Sequence, residues 1–210
     1  ASVEEHDKPW LRGLPVVVGA DPAGGMGRGV VSTANYKARE YGIKSALPIQ
    51  KAWRYSEEAR KSGKPAAAFL TPNFRRYSEA SKTVMSIVKT YAKRVEQTSI
   101  DEAYFDLTSL RSFKKAKEVA LVIKKEIKKK VGVTASVGIG ANKMVAKIAS
   151  DSKKPDGLTV VFPNEAERFL EPLSVRSIPG IGPKTEMLFK RRGVIVIRDL
   201  KRLSFEELER

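Results

Sequence analysis

At 210 residues the chain is long enough for one large domain or two to three small ones, without metal or disulfide staples. Cysteine is absent and His6 is the single histidine, which excludes disulfides, thiol catalysis, Cys-ligated zinc and His-His metal motifs, and argues against a Ser-His-Asp triad. Lys and Arg outnumber Asp and Glu by 40 to 24, a formal charge of +16 spread along the whole chain, so polyanions are the expected partners.

No apolar run approaches the ~20 residues that span a bilayer, and no signal-peptide core is visible. No membrane association is expected, and a soluble, cytoplasmic protein is. The chain opens on Ala1, and residues 1–6 read as the tail of a helix that began upstream. His6 reads as a solvated residue at its end. Pro15-Val16-Val17-Val18 is a short apolar strand, residues 21–29 form a Gly-rich loop, and Val30-Val31 resumes a strand. Ser32 or Thr33 is positioned to cap a helix running through Tyr41, with Gly42 as its stop. A second short helix follows Pro48, and residues 61–65 form a polar loop.

Tyr77, Ala80, Val84, Ile87, Tyr91 and Val95 recur at steps of three and four, which predicts an amphipathic helix over 76–94 with a basic polar face. Residues 95–100 and 103–107 read as strands. In the second, Ala103, Phe105 and Leu107 alternate with Glu102, Tyr104 and Asp106. Phe113, Ala116, Ala120, Ile123 and Ile127 mark another helix, ending in Lys128-Lys129-Lys130. A strand over 133–139, a helix over 142–152 and a strand over 158–162 follow. Ser204-Phe205-Glu206-Glu207 is a capping box that opens a helix just before the last residue. Both ends read as cut. The pattern predicts an α+β arrangement of antiparallel strands in one sheet, covered on one face by the two long helices and open to substrate on the other.

Three constellations carry chemistry. Between the strands at 95–100 and 103–107 stand Asp101 and Glu102. Neighbours in a regular strand point to opposite faces, so these two acids serve one site only if the chain turns at Asp101. A tight hairpin does this, and two carboxylates plus substrate phosphates suit magnesium. A bare acid pair is equally compatible with a strand that begins with solvated acids.

Thr33, Tyr36 and Arg39, three residues apart, would lie along one side of a helix after the Gly-rich loop, where hydroxyls, backbone amides and a guanidinium fork suit phosphate. A partly exposed helix with Tyr36 in the core fits the same spacing. The loop lacks the Gly-Lys-Ser/Thr ending of a Walker A motif. The third constellation is Ser177-Ile178-Pro179-Gly180-Ile181-Gly182-Pro183-Lys184-Thr185, in which Pro179-Gly180-Ile181-Gly182 between apolar positions 175, 178 and 188 resembles a helix-hairpin-helix motif. There Gly180 and Gly182 let backbone approach a DNA phosphate and Lys184 adds charge. A plain Gly-Pro turn is the alternative. Lys143 and Lys147 share a helix face, Lys154 lies in the loop before Pro155, and a solvated basic surface is the default reading for all three.

Taken together, Val31-Ser32-Thr33-Ala34-Asn35-Tyr36-Lys37-Ala38-Arg39, Ser99-Ile100-Asp101-Glu102-Ala103-Tyr104, Lys153-Lys154-Pro155-Asp156-Gly157 and Pro179-Gly180-Ile181-Gly182 resemble, in order and spacing, the Y-family, DinB-like translesion DNA polymerases. The resemblance covers essentially the whole chain. It implies an α+β right-hand polymerase with a βαββαβ-like palm, small α/β fingers and a helical thumb carrying the helix-hairpin-helix. Residues 1–10 would be the remnant of the first palm helix, 11–73 the fingers, 74–161 the catalytic palm and 162–210 the thumb.

By the same resemblance Asp101 ligates two Mg2+ ions and Glu102 helps bind the ion that activates the primer 3′-hydroxyl. Thr33, Tyr36, Arg39 and Lys154 fall on triphosphate-contacting positions, and Gly180, Gly182 and Lys184 on DNA-contacting ones. The implied partners are primer-template DNA, a dNTP and a sliding clamp bound through a C-terminal region, and a monomer is expected. The family opens on a strand with a further Asp ligand and closes on a little finger domain. Neither is found in these 210 residues, so the chain alone is expected to be inactive or very weak. A non-catalytic helix-hairpin-helix DNA-binding module and a nucleotidyl cyclase-like enzyme are the alternatives.

Overall fold

The computed structural model describes residues 1–209, which divide into two compact units: residues 1–84 with 131–133, and residues 85–130 with 134 onward. In the first unit, helix α1 (Ser2–Asp7) precedes strands β1 (Val16–Gly19) and β2 (Val31–Ala34). Helices α2 (Tyr36–Glu40) and α3 (Ile49–Lys61), strand β3 (Ala68–Leu70) and the start of α4 (Phe74–Tyr91) complete it. The sheet order is β2-β1-β3, with β1 antiparallel to β2 and parallel to β3.

The central place of β1 explains its unbroken apolar run. Successive side chains of a strand face opposite sides, and Val17 joins Val31, Ala34, Ala38, Ile43, Ile49 and Ala52 on one side while Val16 and Val18 meet Leu11 on the other. Each face of the sheet therefore has its own core, and all three valines are fully buried.

The helix expected to start at Ser32 or Thr33 starts at Tyr36 instead. Thr33 pairs with Val18 in the β1–β2 ladder, and the cap is Asn35, whose side-chain oxygen accepts from the Ala38 amide at 2.9 Å. That oxygen also accepts from the Val16 amide at 2.9 Å, while Asn35 Nδ2 donates to the Leu14 carbonyl at 2.8 Å and to Glu5 Oε1 at 2.9 Å. Four bonds from one buried amide thus lock the end of β2 to α2, to the entry of β1 and to α1. The strand wins residues 33 and 34 because these bonds satisfy otherwise orphaned backbone groups.

Glu4 of α1, only 5 % exposed, accepts from the Tyr77 hydroxyl at 2.6 Å and from Lys8 at 2.9 Å. Burial and the Glu4 carboxylate push the Tyr77 phenol up to about 12. Asp7 takes a bidentate pair from Arg76, at 2.7 and 3.0 Å. The His6 ring is exposed at the helix end, as expected, beside Asp7.

In the second unit the order is the anticipated helix, strand, strand, helix, strand, helix, strand. After α4 come β4 (Val95–Gln97), β5 (Ala103–Phe105), α5 (Phe113–Val131), β6 (Val137–Ile139), α6 (Lys143–Ser152) and β7 (Leu158–Val160). Ala116, Ala120, Ile123 and Ile127 form the buried stripe of α5, as their spacing predicts. Strand pairing departs from the expected single antiparallel sheet. β4 and β5 form an antiparallel ladder, and β6 and β7 a separate parallel one. A parallel pair needs a crossover, and α6 supplies it.

The helix α6 packs directly on β6 at Gly138, where any Cβ would come within 2.0 Å of the Ala146 carbonyl oxygen. The strand expected from residue 133 is only three residues long, and α4 spans 74–91 rather than 76–94. Beyond β7, α7 (Ala166–Leu170) packs through Phe169 and Leu170 on Val145 and Ala149 of α6. α8 (Pro183–Arg191) and α9 (Phe205–Glu209) follow. The anticipated capping box at α9 is present: the Ser204 amide donates to Glu207 Oε2 at 2.8 Å and the Glu207 amide to Ser204 Oγ at 3.3 Å.

Candidate active site

The chain turns between β4 and β5 over residues 98–102. The Thr98 and Ser99 amides both donate to the Glu102 carbonyl, at 3.0 and 3.2 Å, and Gln97 Nε2 donates to the Ser99 carbonyl at 2.9 Å. Ser99 then fixes the acid: its hydroxyl donates to Asp101 Oδ1 at 2.6 Å. Asp101 and Glu102 are both exposed. Asp101 and Glu102 thus close the turn, Glu102 directly before β5, as the hairpin reading requires. The expected division into two faces holds in part: Glu102 and Asp106 are exposed and Ala103, Phe105 and Leu107 half-buried, but Tyr104, on the charged face, is half-buried as well.

Two adjacent, exposed carboxylates are hard oxygen donors, the kind that magnesium takes one or two of while completing its shell with water and phosphate. The donor set fits that ion. Among the described residues no group of three or more His, Cys, Asp or Glu gathers to form an all-protein cage.

The basic face of α6 lies against this hairpin instead of facing only solvent. Lys147, with its side chain 22 % exposed, pairs with Glu102, and Lys143 pairs with Glu96 and stands 5.7 Å over the Tyr104 ring. Lys147 also lies 3.6 Å from Asp151, whose other oxygen holds Lys154 at 2.6 Å. Burial alone would lower the Lys147 pKa. The hydrogen bond that Lys147 donates to Glu102 and the charges of Asp151 and Glu102 outweigh it and hold the ammonium above its ordinary value. From spacing alone Lys147 reads as a solvated lysine and Asp151 as an ordinary surface acid. Their one sequence mark is the alternating charge at positions 147, 151 and 154, which surface helices share.

In the first unit, Thr33 lies on β2 and Tyr36 and Arg39 on α2, so the three do not share a helix face. Tyr36 is 49 % exposed, which removes the reading that places it in the core. Arg39 Nε donates to the Ala34 carbonyl at 2.9 Å and its guanidinium stands 5.5 Å over the Tyr36 ring. Asn35 takes the Ala38 amide, so that amide is not open to phosphate. The structure thus brings Glu102 and Lys154 into one ion-pair chain, and Tyr36 and Arg39 into one stack.

At the Gly-rich turn before α8, Gly180 has φ +93°, a left-handed conformation that favours glycine, and a Cβ at Gly180 or Gly182 would meet open space. Among the described residues nothing requires Gly182 to lack a side chain. Both glycines and the exposed Lys184 therefore present backbone and charge outward. Val175 is fully buried but Leu188 is 59 % exposed, so position 188 does not anchor the turn as its apolar character suggested.

The hairpin with its adjacent acids, the crossover helix α6 beside it and the Gly-rich turn before α8 are parts expected of the DinB-like right-hand fold. Comparisons with known proteins agree. The impB/mucB/samB family matches residues 1–151 and the IMS family HHH motif residues 163–194. DNA polymerase IV 2 of Methanosarcina mazei is 46% identical over 209 residues, covering 99% of this chain and 54% of the relative. DNA polymerase IV of Methanoculleus marisnigri is 44% identical, covering 99% and 56%. Among solved structures, DinB from Sulfolobus solfataricus superposes with a TM-score of 0.88 at 36% identity over 100% of this chain and 59% of that one. The insertion ternary complex of Dbh DNA polymerase gives 0.86 at 35% identity, over 99% and 58%. The chain belongs to the impB/mucB/samB family, that is, to the DinB-like Y-family of DNA polymerases. It spans about half the length of the curated relatives it matches.

Proposed function

We propose that the protein is a template-directed DNA polymerase of the translesion class, and that Asp101 and Glu102 bind its divalent cations. The observation that carries this reading is the hairpin turn, which puts two adjacent carboxylates in solvent and orients one of them through Ser99. It is supported by relatives named DNA polymerase IV and by a similar polymerase captured as an insertion ternary complex. When bound, two Mg2+ ions supply stabilisation of the attacking 3′-oxygen and of the leaving pyrophosphate oxygens.

The chain's own residues do the positioning. Ser99 aims the Asp101 carboxylate, and Glu102 presents a second one from the last position of the turn. Lys154 offers positive charge to phosphate in the second unit, and Thr33, Tyr36 and Arg39 offer two hydroxyls and a guanidinium fork to phosphate in the first. Gly180 and Gly182 let the backbone approach a DNA phosphate, with Lys184 beside them, a contact that reads no base sequence. The partners are primer-template DNA and a dNTP, with a sliding clamp as an additional partner of the whole protein.

Primer extension on a synthetic primer-template, using the longest chain the gene encodes, tests this reading. Synthesis is expected with Mg2+ and none after chelation with EDTA. Metal-dependent dNTP binding separates a polymerase from a module that only binds DNA. Full DNA binding with no dNTP binding in Mg2+ would overturn the proposal.

A further inference from the structure

Four side chains of the second unit form a line of alternating charge: Glu102, Lys147, Asp151 and Lys154. Its two ends are the groups that meet ligands in the proposed function, a cation at Glu102 and a triphosphate at Lys154. Its two middle members have no part in that reaction. We propose that Lys147 and Asp151 are positioning residues that hold the places of the ligands before these bind, Lys147 as a placeholder cation on Glu102 and Asp151 as a placeholder anion on Lys154. The inference rests on the reading of Asp101 and Glu102 as cation ligands and of Lys154 as a triphosphate contact.

The geometry separates this arrangement from ordinary surface pairs. Lys147 keeps only 22 % of its side-chain surface in solvent, so its charge is partly desolvated and depends on its two carboxylate neighbours. Glu102 lies 45 residues away in sequence, on the hairpin, so the pair fixes α6 to the catalytic turn as no helix-internal pair can. Asp151 offers one oxygen to each lysine: Oδ1 holds Lys154 at 2.6 Å and Oδ2 faces Lys147 at 3.6 Å. The second contact is long enough to shorten when Lys147 leaves Glu102.

A divalent cation arriving at Glu102 displaces the ammonium toward Asp151. Asp151 then shares its charge more equally, and its hold on Lys154 weakens. A triphosphate arriving at Lys154 acts along the same line in reverse: it frees Asp151 to take Lys147 and so unmasks Glu102. The two ligands are coupled through the protein as well as through their own mutual attraction, and such coupling is reciprocal.

The test uses Mn2+ alone and inorganic tripolyphosphate in EDTA, so that each ligand is measured without the other. Mn2+ binding is followed by the electron paramagnetic resonance signal of the free ion, and tripolyphosphate binding by calorimetry. Lys147→Met is expected to tighten Mn2+ binding about two- to fivefold, the scale of one partly exposed ion pair. Asp151→Asn is expected to tighten metal-free tripolyphosphate binding by a similar factor. A lysine or aspartate with only a structural role would weaken binding when removed. Unchanged or weaker binding in both variants therefore overturns the inference while leaving the site reading intact. Mn2+ binding that is absent from the wild type and from Lys147→Met alike, or untouched by Glu102→Gln, overturns the site reading itself and this inference with it.

Discussion

Replacing Asn35 by Ala removes four hydrogen bonds from a side chain that is only 8% exposed and joins the first strand to the segment carrying Tyr36 and Arg39. Loss of an N-cap costs about 1 kcal/mol. The Val16 amide, in a strand with no solvent access, adds the ~1–3 kcal/mol of a buried donor left without a partner. The expected destabilisation is ~2–4 kcal/mol, a large share of the ~5–15 kcal/mol that holds a domain folded. In a thermal melt this corresponds to a loss of about 5–15 °C. Both tryptophans of the chain, Trp10 and Trp53, belong to the first unit, so tryptophan fluorescence during urea unfolding reports the unit that the substitution damages. Asn35→Asp keeps the acceptor for Val16 and Ala38 but loses the donor and sets a carboxylate against Glu5. Its cost should be smaller than that of Ala at low pH and grow as pH rises. A midpoint for Asn35→Ala within about 0.5 kcal/mol of wild type, or a shift confined to probes of the second unit, would refute the reasoning.

Tyr77→Phe leaves the buried Glu4 carboxylate without its 2.6 Å donor and should cost ~1–3 kcal/mol in the same fluorescence assay; a neutral substitution would contradict the bond. The Arg76 guanidinium holds the Asp7 carboxyl below its usual range. Its contribution is therefore present above the unfolded value near 4 and lost as pH falls through the lower folded one. Arg76→Gln should erase that part of the acid limb, below about pH 4, in a pH series of unfolding midpoints, and an unaltered limb would exclude it. Affinity for primer-template should fall steeply with salt and show little sequence preference, since phosphate contacts dominate. A flat salt titration by fluorescence anisotropy would be incompatible with this.

Much of this architecture was legible from residue spacing. The buried stripe of α5 follows the apolar residues at 116, 120, 123 and 127, and the acid pair could serve one site only through a turn, which is what the chain makes. The start of α2 was not legible. Ser32 and Thr33 are good caps locally, but Asn35 wins because it also satisfies Val16 and Leu14, partners about twenty residues away that leave no local trace. The parallel pairing of β6 with β7 was hidden for a related reason: strands joined by a crossover carry no turn signal between them. Lys147 reads as one more solvated lysine because its partner Glu102 comes from a distant hairpin. Tyr36 reads equally well as core or surface from its spacing, and only the packing of Ala34, Ala38 and Ile43 around Val17 leaves it outside.

The central claim is that the hairpin acids do the chemistry and do not hold the DNA. Primer extension and primer-template binding measured side by side on Glu102→Ala, in the longest chain the gene encodes and with Mg2+ present, test it most directly. Extension should be abolished while the dissociation constant for DNA stays within about twofold of wild type, because phosphate contacts elsewhere set that affinity. Extension by Glu102→Ala at the wild-type rate would contradict the account.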